Sequence, residues 1–424
     1  MNEKNVANEK WIKNNFPLAE ESANFKDTTH LRVRISSKKG MLGFLKPSNL
    51  DPNGAFGKLI AILSRFYATP HNPKTKTTYA FFNGDAGGKI TETVTDPGAL
   101  FVPAHYTAVQ DNLNFQFRAI TDEINKGKAS DKTFHILLCD GETTIRRYKN
   151  YNTTEFSQIQ DAVKDLLSKQ PGVCIGVISL LANFDGPYNY EIDAVKNVTC
   201  KRYLYAFCFF DKAFIPEFQR FAEEAASLQG RAFLFNPKVP AALVSTGYRV
   251  VPKKLGATNK SAHDYFAAYS FLRNTPDSIV AQNTISHFKG ISLPALEYTV
   301  YYHKPQKDFK VAQEGKKEGS GVCTVDNARS SFAAALALPK DKIKPGVYRL
   351  ETAPNYNAPV NKITGFDIES QNIDDNTLNE VTAVKSDGIL KTEGLKDLYE
   401  VIIKAMVDIE QPPFYNNYLT INKE

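Results

Sequence analysis

Apolar and polar positions follow two periods along this chain, and the switches between them outline its elements. Leu31-Arg-Val-Arg-Ile35 alternates every second residue and predicts a half-exposed strand. Phe56, Leu59, Ile60, Leu63, Phe66 and Tyr67 fall at helical spacing and stop before Pro70. Residues 77–82 and 89–94, on either side of Asn83-Gly-Asp-Ala-Gly-Gly, predict a hairpin. Tyr106, Val109, Leu113, Phe117, Ile120 and Ile124 form a helical stripe that Asn125-Lys-Gly127 closes.

The middle of the chain is patterned most regularly. Residues 134–139 read as a strand, Asp140-Gly141 as a tight turn and 143–148 as the returning strand. Phe156, Ile159, Val163, Leu166 and Leu167 mark a helix with Thr153 or Thr154 as its N-cap. The apolar runs 173–181 and 203–210 have the unbroken character of strands buried on both faces. Asp211 opens another helix, with Phe214, Phe218, Phe221, Ala222 and Ala225 inward, and residues 231–235 return as a strand. This order predicts a layered α/β domain over about 134–240.

Beyond Pro240 the pattern predicts helices at 262–272 and 328–338, a strand at 296–302 and an exposed loop over 304–321. A helix at 392–409 carries Leu395, Leu398, Ile402, Met406 and Ile409 in register, and a last strand spans 418–421. The fold class is therefore α/β, mixed α+β overall, with a central layered domain and mixed sheet flanked by β-rich terminal regions with extended arms. The segments are an N-terminal arm and mixed region (1–130), the central α/β domain (131–240), a second mixed region (241–385), and the C-terminal helix and strand (386–424).

Composition narrows the class. The chain has 424 residues, 42% of them hydrophobic, 23% charged and 12% aromatic, which suits a globular protein and not a disordered one. It has no apolar run of about 18 residues, so a transmembrane helix is not expected. The start, Met-Asn-Glu-Lys-Asn-Val, lacks the basic and apolar regions of a secretory signal, so an intracellular product is expected. Asn152, Asn197 and Asn259 head Asn-x-Ser/Thr triplets that then read as chance matches. The five cysteines, Cys139, Cys174, Cys200, Cys208 and Cys323, form no CxxC pair and predict buried free thiols.

A net charge of +6 is small for a dedicated nucleic-acid binder, but its distribution is uneven. Residues 31–89 hold ten basic and two acidic residues, and 366–410 hold four basic and eleven acidic ones. This asymmetry suits head-to-tail contacts between copies, and equally two solvated faces of opposite sign.

Candidate chemistry is sparse. Gly84-Asp-Ala-Gly-Gly-Lys89 resembles a phosphate loop, but Asn83 replaces its first glycine and Ile90 the magnesium-binding hydroxyl, so a hairpin loop is expected. His135, His263, His287 and His303 are dispersed, and His263-Asp264 are helix neighbours that point apart. Cys139 ends a strand before Asp140, where α/β enzymes place catalytic groups, while Ser179 lacks the flanking glycines of a nucleophile elbow. Asp374-Asp375 reads as solvated; Tyr298, Tyr301 and Tyr302 read as a sheet face or as a stacking surface. No catalytic, cofactor-binding or metal-binding residue and no cofactor is expected.

Three local features resemble the tail sheath and sheath-like structural proteins of contractile bacteriophage tails. They are His135-Ile-Leu-Leu-Cys-Asp-Gly-Glu-Thr-Thr-Ile145 followed by the helix from Phe156, the element Ser286-His-Phe-Lys-Gly-Ile291, and Ser386-Asp-Gly-Ile389 ahead of the last helix and strand. Together they cover about a third of the chain; the polar, Trp-containing start and residues 31–125 depart from the resemblance. It implies a non-enzymatic subunit in a virion or assembled particle, made in the cytoplasm, whose terminal strands pair with neighbouring copies. Its partners would be itself and other particle proteins, with no membrane or specific nucleic acid. Two alternatives stay open: another virion or capsid shell protein, and an intracellular α/β enzyme with a site near Cys139, Asp140 and the Asn183-Phe-Asp185 segment.

Overall fold

A computed structural model describes residues 29–45, 54–65, 75–83, 89–94, 96–108, 113–127, 133–143, 154–191, 194–236, 244–251, 266–271, 278–286, 289–304, 315–360, 368–373, 378–409 and 415–423. In chain order, the first elements are β1 (Thr29–Ser36), α1 (Leu42–Leu45), α2 (Gly54–Arg65), β2 (Thr75–Asn83), β3 (Lys89–Val94) and α3 (Leu113–Lys126). There follow β4 (Thr133–Cys139), α4 (Thr154–Lys169), β5 (Val173–Glu191), β6 (Ala194–Asp211), α5 (Ile215–Ala226) and β7 (Arg231–Leu234). The second half begins with β8 (Val244–Val251), β9 (Phe266–Phe271), β10 (Ser278–Ser286), β11 (Ile291–Ser292) and β12 (Leu296–His303). It continues with β13 (Lys316–Val322), β14 (Thr324–Asp326), β15 (Ser331–Pro339), β16 (Gly346–Pro354), α6 (Ile368–Gln371) and β17 (Asn372–Ile373). The chain closes with α7 (Leu378–Ala383), β18 (Ile389–Leu390), β19 (Thr392–Glu393), α8 (Leu395–Val407) and β20 (Tyr415–Lys423).

Nine strands form the main sheet in the order β11-β7-β5-β6-β4-β1-β2-β3, with β18 added to β6. The trio β4, β1 and β2 is parallel, whereas β6 runs antiparallel to β4 and β5 antiparallel to β6. Strands β1, β2 and β3 thus belong to the same sheet as those of the central domain.

Alternation along the strands sends residues to two cores. Phe134, Ile136 and Leu138 of β4 join Ala206, Cys208 and Phe210 of β6 under α2 and α5. Leu137 and Cys139 join Tyr205, Phe207 and Phe209 on the opposite face, under α3, α4 and α8. The helices lie on both faces because the chain leaves β1 toward β2 on one side and returns to β4 on the other. Right-handed crossovers in opposite directions must cover opposite faces. The carboxyl ends of β1 and β4 therefore flank a topological switch point, the place where open α/β sheets form crevices.

The second half adds two smaller sheets, β14-β15-β10-β8 and β13-β12-β16-β20-β9. Ile279, Phe332, Leu336, Tyr348 and Leu419 continue the first core.

Several predicted elements change here. Residues 331–339 form a strand and not an Ala-rich helix, because Phe332, Ala334, Leu336 and Leu338 are buried at period two. Residues 266–271 are β9, not part of a helix, and 316–322 are β13, not loop. The strands beside β4 are β1 and β6; the hairpin return predicted at 143–148 falls, beyond Thr143, outside the described residues. The helix predicted over 106–124 starts at Leu113, and Tyr106 instead donates its hydroxyl to the Leu100 carbonyl at 2.6 Å. The last strand is interior: β20 lies between antiparallel β16 and parallel β9, with Tyr418, Leu419 and Ile421 buried. Among the described residues no helix is long and apolar enough to cross a membrane.

Candidate functional site

At the switch point the chain buries four charges together. Lys38 follows β1, Asp140 and Glu142 follow β4, and Arg202 lies in β6; their side chains are 5%, 2%, 4% and 1% exposed. Lys38 Nζ lies 3.0 Å from Glu142 Oε2 and 3.2 Å from Asp140 Oδ2. Arg202 Nη2 donates to Glu142 Oε1 at 2.6 Å and lies 3.7 Å from Asp140 Oδ2. The Glu142 backbone N–H donates to Asp140 Oδ1, which fixes the turn between the two carboxylates.

The backbone around this quartet is clamped. Ser37 donates to the Phe82 carbonyl, Ala108 to Ser37 and Lys39 to Ala108, so the Lys38 stem enters at a set angle. The following turn lies directly on β5: a Cβ at Gly186 would sit 2.6 Å from the Gly43 Cα. Only a pair of glycines permits that approach. It brings Phe44 to the quartet, where the Arg202 guanidinium lies over the rings of Phe184 at 4.7 Å and Tyr188 at 4.6 Å. The C-terminal segment closes the remaining side: Thr143 N–H donates to Glu393 O, and β18 pairs with β6 at Lys201 and Arg202.

Two cations and two carboxylates make the quartet neutral, which lets charges survive where isolated ones could not. Burial alone would lower the Arg202 pKa, but Glu142 and then Asp140 outweigh it and the net direction is upward. Asp140 Oδ2 is held by its ion pairs with Lys38 and Arg202 alone, and Arg202 Nη1 has no hydrogen-bond partner among the described residues. As a chemical object this is a sealed ion network.

The structure does not bring together the residues of the expected enzyme site. Cys139 and Asp140 are strand neighbours and point to opposite faces: Cys139 packs in the α4 and α8 core, Asp140 in the quartet. Phe184 reaches the quartet, but Asp185 is exposed and accepts from the Thr199 hydroxyl. Ser179 is buried in the strand. All five cysteines are free and buried; burial pushes the Cys200 thiol up to about 11 and that of Cys323 up to about 12, away from thiolate chemistry. His303 is buried in β12, while His263, His287, Asp374, Asp375 and the glycines at 84–88 lie outside the described residues. Tyr298 and Tyr302 spend their hydroxyls on the Ala335 and Pro345 carbonyls, and Tyr301 lies under Arg349. No cluster of three or more potential metal ligands occurs among the described residues.

The charge windows also change on folding. Arg34 and Lys38 of the basic window are buried and paired internally, with Glu123 and with the quartet. In the acidic window Glu393 is buried and Asp408 pairs with Lys164 at 3.0 Å.

The quartet was missed in the sequence, although Arg202 signalled it. It occupies an inward position of an alternating strand whose next inward residues are Leu204, Ala206 and Cys208, and a charge there requires a buried partner. No known protein family matches the chain, and no curated protein matches it either.

Proposed function

We propose that this chain is a non-enzymatic structural subunit that assembles with copies of itself, in the manner of the tail sheath-like proteins its local motifs resemble. The observation that carries this reading is the plugged switch point. An α/β enzyme keeps reactive groups and a substrate crevice there, whereas here the four charged groups are spent on one another beneath Phe44, Phe184 and Tyr188. With β20 interior, terminal pairing falls to other strands. The edge strand β13 is one described alternative: it bonds to β12 on one side, and Val322 at its end is 71% exposed.

The test is negative-stain electron microscopy of the purified chain with light-scattering mass at two protein concentrations. Tubes, rings or shells are expected. A 47.3 kDa particle at every concentration would overturn self-assembly.

A second reading, an α/β enzyme working at Asp140, is favoured by Arg202 Nη1, which has no hydrogen-bond partner among the described residues, beside a carboxylate at a position typical of active sites. It predicts a monomer whose quartet variants fold normally yet lose a measurable turnover.

A further inference from the structure

At the opposite end of the strands from the quartet, by the amino end of β4, lies a separate pocket of about 70 Å³. Ile124, Val173, Phe209 and Phe210 supply the apolar part of its lining, and Arg32, Glu123, Thr133, His135, Gln170 and Asp211 the polar part. Strand register builds it. Arg32, His135 and Phe209 face one another across β1, β4 and β6, and α3 lowers Glu123 onto Arg32 and Arg34.

Arg34 Nη1 lies 3.1 Å from His135 Nδ1. A guanidinium can only donate, so Nδ1 accepts and the ring proton sits on Nε2. Burial and the neighbouring Arg34 and Arg32 charges keep that ring neutral. His135 Nε2–H is thus a fixed donor on a side chain only 5% exposed. Among the described residues it has no protein acceptor, and the hydroxyl of Thr133 and the side-chain amide of Gln170 have no protein partner. Thr133 is itself only 9% exposed. Asp211 spends one oxygen on the Ala213 N–H and has the other left as an acceptor.

The lining carries Arg32, Glu123 and Asp211, and Arg34, which lies behind it and pairs with Glu123, brings the local charge into balance. A net anion or cation gains little where the surrounding charges balance, while a ligand that pairs with both the donors and the acceptors of the pocket gains hydrogen bonds in a partly sheltered site. We infer that this pocket binds a small neutral group carrying a donor and an acceptor on an apolar stem, of which a primary carboxamide is the simplest. A free amide and the side chain of a glutamine or asparagine share that chemistry.

The test is a titration of the full chain, with methyl groups of Ile124 and Val173 observed by NMR. Propanamide should shift both saturably in the millimolar range, and equal concentrations of propanoate and propylammonium should not. Thr133→Val should weaken propanamide at least five-fold. So should Gln170→Leu, placed at a turn outside the core so that failure to fold does not confuse the outcome. A capped glutamine tripeptide that binds more tightly than propanamide identifies a side-chain ligand; weaker binding identifies a free amide. Absence of a saturable shift, or equal shifts with either charged analogue, would overturn the inference.

Discussion

Arg202 Nη2 and Glu142 Oε1 meet at 2.6 Å with both side chains almost wholly buried. Removing one member leaves a charge of the other sign stranded in the core, which costs about 3–5 kcal/mol in comparable sites. Arg202→Met should therefore lower the urea midpoint strongly, and Glu142→Leu should do likewise. The double variant restores neutrality with Lys38 and Asp140 still paired, so it should be more stable than either single. Singles that unfold within about 0.5 kcal/mol of the parent protein would show that the quartet is not structural.

The strap over β4 gives a sharper geometric test. Gly394 has φ +71, and a Cβ there would lie 1.9 Å from Thr143 Oγ1. Gly394→Ala must therefore strain the backbone and displace the strap, at a cost of about 1–3 kcal/mol from the backbone conformation alone. Gly319 in β13 is the control, since a Cβ there meets nothing within 4 Å. Gly319→Ala should be neutral or slightly stabilising in thermal unfolding, and equal losses at both sites would contradict this account of the strap.

His135 sets a pH dependence. Its folded pKa lies well below the ordinary value of about 6.5, so the unfolded chain takes up a proton before the native one does. The resulting stability is fully present above about pH 6.5 and is lost as pH falls toward the folded value, by up to about 1.4 kcal/mol per pH unit for one proton. The nearby charged groups, Arg32, Arg34, Glu123 and Asp211, remain in His135→Gln, whose amide oxygen can still accept from Arg34. Unfolding free energies between pH 7.5 and 5 should decline less steeply in that variant; identical slopes would remove His135 from the explanation.

Much of the architecture was legible in alternation. The sheet faces follow from the apolar runs around Ile136, Val177 and Phe207, and Leu395, Leu398, Ile402 and Met406 face inward as their spacing required. The misreadings share one physical cause, which is that tertiary context decides between periods in short segments. Ser331–Pro339 is alanine-rich and helix-prone in isolation, but strand pairing with β10 buries Phe332 and Leu336 on one side. The quartet was illegible as a cluster because its members are separated by up to 164 positions, from Lys38 to Arg202, and only sheet order makes them neighbours.

The place of β20 changes what truncation reports. Gly346–Thr352 of β16 pairs with Ile421–Tyr415 on one edge of β20, and Phe266–Phe271 of β9 pairs on the other. Deleting residues 415–424 removes an interior strand of a five-stranded sheet, so the product should be protease-sensitive or insoluble. A folded, soluble product would mean that β20 contributes little to that sheet.

The edge strand is where the assembly proposal can be tested without harming the fold. β13 pairs with β12 on one side, and Ser320 and Val322 are exposed, so changes there touch little of the core. Lys316 and Lys317 already guard one end of the strand with like charge, a common device against unwanted strand pairing, while Val322 leaves the other end apolar. Ser320→Lys with Val322→Lys extends that guard along the strand. If copies associate through β13, the double variant should shift the light-scattering mass toward the 47.3 kDa monomer at a thermal midpoint close to that of the parent. Assemblies that persist unchanged would exclude β13 as the contact, and the search would move to β3, the strand at the end of the main sheet beyond β2.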